Sequence, residues 1–135
     1  METIFETDYA QIKFSDKGAY VLTRWLGKKN VSLEEFKEVF ETTLNYQANN
    51  PGKVRFFISD MREQGIVPPE YRKWIQEVVL PRTVEYKLEQ IAAIFSGNVF
   101  QKYYLNNILN STKRFGVNIK FFSKEEDAIS WVENL

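Results

Sequence analysis

Apolar residues along the chain change their spacing several times, and each change marks an element. Ile12 and Phe14 alternate with Gln11 and Lys13, Asp16-Lys17-Gly18 offers a turn, and Ala19 to Leu26 is a second apolar and aromatic run. Period-two alternation on both sides of a glycine-containing turn predicts a β-hairpin, with Gly18 as the residue able to take positive φ. A short strand around Ile4 and Phe5 precedes it. Ser32-Leu33-Glu34-Glu35 then has the spacing of a capping box, and Val31 with Phe36 has that of a hydrophobic staple. The helix that starts there keeps Phe36, Val39, Phe40, Thr43 and Leu44 on one face and stops at Asn49-Asn50-Pro51-Gly52.

Beyond this point strands and helices alternate. Val54 to Ile58 reads as a strand, followed by a loop over Ser59 to Val67. Pro68-Pro69 precedes a helix whose Tyr71, Trp74, Ile75, Val78 and Val79 fall on one stripe, and Pro81 ends or kinks that helix. Ile91 to Phe95 is a continuous apolar run, as expected of a strand covered on both faces. Asn98 caps a long helix ending at Phe115-Gly116. Val117, Ile119 and Phe121 alternate with Asn118 and Lys120, which predicts an edge strand with one wet face. A second capping box, Ser123-Lys124-Glu125-Glu126, opens a last helix expected to bury Ala128, Trp131, Val132 and Leu135. Strands joined through helices need crossover connections, nearly always right-handed. The pattern therefore predicts one α/β domain over residues 1–135: a mixed sheet with an antiparallel N-terminal hairpin, parallel C-terminal strands and about four helices.

Composition narrows what such a domain does. A chain of 135 residues buries roughly two-thirds of its unfolded surface, enough for a core without staples. No histidine and no cysteine is present, so the side chains most used near neutral pH as nucleophiles, general bases and transition-metal ligands are missing. No metal and no cofactor is expected, and no spacing of the remaining carboxylates, lysines, tyrosines and serines matches a catalytic arrangement. Net charge is zero, and between Asn98 and Lys120 only Lys102, Lys113, Arg114 and Lys120 are charged, too sparse a patch for nucleic acid. The N-terminus lacks the basic then apolar run of a signal peptide, and nowhere do roughly 18 apolar residues run together. These features lead us to expect a cytoplasmic protein without membrane insertion, and the lack of cysteine fits a reducing compartment.

Several segments together resemble a known family: the Trp25 strand followed by the Ser32 helix, the loop Asp60-Met61-Arg62-Glu63-Gln64-Gly65, the Trp74 helix with Pro81 behind it, Ile91 to Phe95, and the closing Ala128-Ile129-Ser130-Trp131-Val132. In this order, over essentially the whole chain, they resemble the STAS fold (sulfate-transporter and anti-sigma-factor-antagonist domain), in particular its SpoIIAA-like branch of small bacterial proteins. The resemblance implies a non-enzymatic regulatory or protein-interaction module, with nucleotides or hydrophobic molecules as ligands in some relatives. One departure stands out. Phosphorylatable members place a serine after an aspartate at the start of the second helix, whereas here the order is Ser59-Asp60, so the switch serine has no clear counterpart.

Candidate binding positions follow from the expected loops. Ligands of open α/β sheets gather beyond the carboxyl ends of the strands, which here carry Ser59 and Asp60, Ser96, Gly97 and Asn98, and Ser123. Against this, Asn98 and Ser123 read equally as ordinary helix caps and Asp60 as a residue tying down its own loop. Asp60, Arg62 and Glu63 form the densest charged cluster in a loop, with Arg62 as an anion or partner contact or as half of a local ion pair. The Trp74 stripe lines a greasy pocket, faces a membrane or, as such stripes more often do, docks on the sheet. Tyr103 and Tyr104 are adjacent on a helix, so they cannot both point into the core; one rims a pocket or an interface, or simply reaches solvent with its hydroxyl. The expected partner is a protein or a small hydrophobic ligand. The edge strand Val117 to Phe121 could pair in a homodimer, although Lys120 is the kind of residue that keeps edges apart.

Overall fold

Six strands form one sheet in the order β1-β2-β3-β4-β5-β6, so that sequence order and spatial order coincide. The computed structural model describes the backbone of residues 1–135 and every side chain but that of Phe100. Strands β1 (Glu2–Glu6), β2 (Ala10–Ser15) and β3 (Tyr20–Trp25) pair antiparallel, and β4 (Phe56–Asp60), β5 (Gln90–Ile94) and β6 (Asn118–Phe122) continue the sheet in parallel from β3. Each parallel strand is added on the same side of the last. Right-handed crossovers then send every connecting helix to one face. That face is covered by α1 (Leu33–Asn49), by a continuous helical connection made of α2 (Pro69–Trp74), a π-helical segment (Ile75–Val79) and α3 (Leu80–Glu85), and by α4 (Val99–Phe115). The terminal α5 (Glu125–Glu133) lies on the other face, where Ala128 and Val132 cover Tyr20, Leu22, Phe56, Ile58, Ala92 and Ile94. The chain is thus an α/β protein with a mixed sheet and a helical layer on each face, as the sequence pattern predicts.

Strand alternation explains the division of the core. Val21, Trp25 and Ala93 face the three-crossover layer, where they pack with Phe36, Val39, Leu44, Ile75, Val79 and Leu105. Neighbouring residues Tyr20, Leu22, Ala92 and Ile94 face α5. Central strands β4 and β5 are covered on both sides, which is why Ile91 to Phe95 carries no polar residue.

Local chemistry departs from expectation in four places. In the β2-β3 turn the residue with positive φ is Ala19 (φ 55°), not Gly18. Gly18 is required for space, because a Cβ there would run into the Tyr20 ring. Pro81 neither ends nor breaks the second helical connection. It lacks the N–H that an α-helix needs at that position, and the helix widens just ahead of it, with the Leu80 N–H bonding the Ile75 carbonyl five residues back. The second capping box does not form: α5 starts one residue late, with Lys124 at the N-cap and no side-chain cap. Its first turn holds Glu125, Glu126 and Asp127, which already complement the helix dipole. Of the residues expected to be buried on α5, Trp131 is only half-buried and Leu135 is 55% exposed.

Candidate functional site

Asp60 is the last residue of β4, and Ser59 precedes it inside the strand rather than in a loop as expected. The strand runs two residues further than its apolar pattern because Ser59 and Asp60 stay in register with Thr23 and Arg24 of β3 and with Ala93 and Ile94 of β5. Alternation then sends the two side chains to opposite faces. Ser59 lies under the helical layer and Asp60 on the α5 side, so they do not form one site.

Asp60 is 4% exposed. Its carboxylate accepts from the Arg62 guanidinium at 2.9 Å (Nε) and 2.7 Å (Nη2), and from the Arg62 backbone N–H at 3.2 Å. Arg24 stands 3.8 Å away on β3 and is itself held by Glu125 of α5 through two bonds of 2.8 and 2.7 Å, while Gln11 of β2 accepts from it at 3.1 Å. Burial alone would push the Asp60 carboxyl upward. The Arg62 hydrogen bonds and the charges of Arg62 and Arg24 outweigh that and hold it below the ordinary carboxylate range. Asp60 therefore stays ionised and paired, and Arg62 spends its fork on Asp60 instead of presenting it outward. Glu63, expected in the same cluster, lies on the other side of the loop beside Gly27.

A groove of about 620 Å³ opens between the β3-α1 and β4-α2 loops, with Trp25, Phe36 and Tyr71 as its aromatic floor and Lys28, Glu63 and Ile66 on its walls. The β3-α1 loop is shaped by positive φ at Gly27 (80°) and Asn30 (58°). The Ser32 capping box forms as the sequence predicts, with the Glu35 N–H donating to Ser32 Oγ (3.1 Å) and the Ser32 N–H donating to Glu35 Oε1 (2.9 Å). The Tyr71 hydroxyl donates to the Val31 carbonyl at 2.8 Å, clamping α2 to the loop. Trp74 packs edge-on against Phe36 and Phe40, with Lys37 over its ring, and remains half-buried.

The β5-α4 loop brings Ser96, Gly97 and Asn98 together. Asn98 caps α4 by accepting the Gln101 N–H at 2.8 Å, and its side-chain amide donates to Ser96 Oγ at 3.0 Å. Gln101 then reaches across to the β4-α2 loop, donating from Nε2 to the Met61 carbonyl (2.7 Å) and the Gln64 carbonyl (3.2 Å). On α4 the two adjacent tyrosines separate as expected: Tyr104 is buried, and Tyr103 is 61% exposed with the Arg72 guanidinium stacked on it.

Sequence reasoning missed Arg24, Glu125 and Gln101, the residues that join these loops. Arg24 in an apolar strand was the available signal, since a charge among Leu22 and Trp25 needs a partner. Glu125 reads locally as a helix-dipole residue, and Gln101 has no local signature. Among the described residues no group of three or more acidic side chains is arranged to hold a metal, and no helix is long and apolar enough to cross a membrane. No family model, curated protein or solved structure matches the chain.

Proposed function

We propose that this chain is a cytoplasmic regulatory or protein-interaction domain of the STAS type, akin to the small SpoIIAA-like bacterial proteins, without catalytic activity or a phosphorylatable switch serine. It meets a protein partner with the carboxyl end of its parallel sheet. One observation carries this reading. Seven large apolar or aromatic side chains stand out in solvent among the described residues: Met1, Leu26, Ile66, Val84, Val99, Tyr103 and Leu135. Leu26, Ile66, Val99 and Tyr103 all belong to the segments that follow β3, β4 and β5 at that one end. Scattered apolar residues need no explanation, but a cluster of them on one end marks an interaction surface. Aromatic groups such as Tyr103 and Tyr71 are the side chains that protein interfaces favour.

The surrounding chemistry supports recognition over catalysis. Asp60 is held ionised by Arg62, so it has neither the raised pKa of a general acid nor a nucleophile to activate. A photo-crosslinking side chain introduced at Ile66, at Val99 and, as a control, at Val84 on the far end of α3 tests this reading in the native host. A discrete protein adduct from positions 66 and 99 and none from 84 is expected. Adducts from 84 alone, or saturable turnover of a metabolite by the purified protein, would overturn it. A second reading, a binding protein for a small hydrophobic or amphipathic ligand, is favoured by one feature, an apolar cavity beneath the helical layer.

A further inference from the structure

A cavity of about 90 Å³ lies between the π-helical segment and the middle of the sheet, away from the surface argued above. Its origin is visible in the register. Thr23, Ser59 and Ala93 are paired neighbours across β3, β4 and β5 on the helix-covered face, and all three are small. The next row, Phe57, Ile91 and Ile119, is large, so the floor steps down in mid-sheet. Ile75, Val79 and Leu80 roof this step from the widened turn that Pro81 demands, and Leu105 and Ile108 of α4 close one side. Protein interiors leave few voids larger than a water molecule.

The polar groups of the lining divide in two. Thr43 and Thr83 donate to their own helix at the Val39 and Leu80 carbonyls (3.2 and 2.7 Å). The side-chain hydroxyls of Thr23, Ser59 and Tyr104 form no hydrogen bond to another described residue, and Thr23 and Ser59 retain accessible surface although helices cover them. Tyr104 is 8% exposed, and burial raises its hydroxyl well above the ordinary tyrosine range, so it remains a neutral donor. No charged side chain lines the space. A dry cavity of about 150 Å³ accommodates the six carbons of benzene, which scales to about four non-hydrogen atoms here.

We propose that this cavity is a binding site for a small uncharged aliphatic molecule bearing one oxygen, of the short-chain alcohol or ketone class, with the Tyr104 hydroxyl as its polar contact. The inference does not depend on the interaction surface at the carboxyl end. Methyl-resolved NMR of the full chain, titrated with 1-propanol and separately with xenon, tests it. Saturable shifts confined to Ile75, Val79, Leu105 and Ile108 are expected with both probes, in the millimolar range for propanol. Tyr104→Phe should weaken propanol about fivefold, the worth of one hydrogen bond, and leave the xenon response unchanged. Ala93→Leu should abolish both responses by raising the floor, and Ser59→Val serves if that variant does not fold. Along the series from ethanol to hexanol, affinity should pass through a maximum near four non-hydrogen atoms. Shifts that spread over the surface without saturating, a response retained in the filled variant, or a cavity in contact only with water would overturn the proposal.

Discussion

Asp60 is a carboxylate removed from water, and a buried ion is tolerated only when its partners restore what water gave it. Arg62 supplies three of those interactions from two residues away. Removing it leaves Asp60 with Arg24 at 3.8 Å as its remaining cation. Arg62→Ala is therefore expected to cost about 1–3 kcal/mol at neutral pH, measured by urea denaturation. Because the folded Asp60 carboxyl sits below its ordinary value of about 3.9, this stabilisation is complete above that pH and is lost as pH falls through the lower folded value. The gap between wild type and Arg62→Ala should accordingly narrow below about pH 4, and a gap that is constant from pH 7 to pH 3 would contradict the assignment. Gln47 presents the opposite case. It is 3% exposed on α1, and neither end of its amide finds a partner. Gln47→Met keeps the length and removes the unpaired polar atoms, so thermal melting should rise by about 3–5 °C.

Helix starts and register account for the behaviour of the elements. The two capping-box sequences look alike on paper, yet only Ser32 makes both bonds, while Ser123 falls outside α5. Ser32→Ala is expected to cost about 1 kcal/mol and Ser123→Ala less than about 0.5, a difference that denaturation of the two variants resolves. Much of the element order was legible because period and punctuation agree: Ser32, Asn98 and Gly116 sit at helix ends as their chemistry predicts. The extension of β4 through Ser59 and Asp60 was not legible. Pairing with β3 and β5, a long-range property, overrode two residues that locally favour a turn. The π-helical segment escaped for a similar reason. A proline inside an apolar stripe signals a break, and only the packing of Ile75, Val79 and Leu80 keeps the helix continuous through it.

At the scale of the whole molecule, monotonic strand order and right-handed crossovers collect the three loops that follow β3, β4 and β5 at one end. The sequence pattern located this end correctly, bringing Asp60, Arg62 and the Ser96 to Asn98 loop there. It did not disclose that Arg24, Glu125 and Gln101 tie these parts together, because those contacts span 36 to 101 residues. The same architecture leaves Leu26, Ile66, Val99 and Tyr103 exposed in the segments at that end, and Ile66 also borders the groove floored by Trp25, Phe36 and Tyr71. Four of the seven exposed large apolar groups among the described residues gather at this one end, and the protein is expected to cover these four when it works.

Hydrogen–deuterium exchange of the purified chain, alone and bound to the protein that crosslinks to position 66, tests that claim most directly. Protection on binding is expected over residues 26–30, 63–68 and 96–103, with β1 and α5 unchanged. Protection confined to β1 or α5, or none at all in a complex that demonstrably forms, would contradict the account.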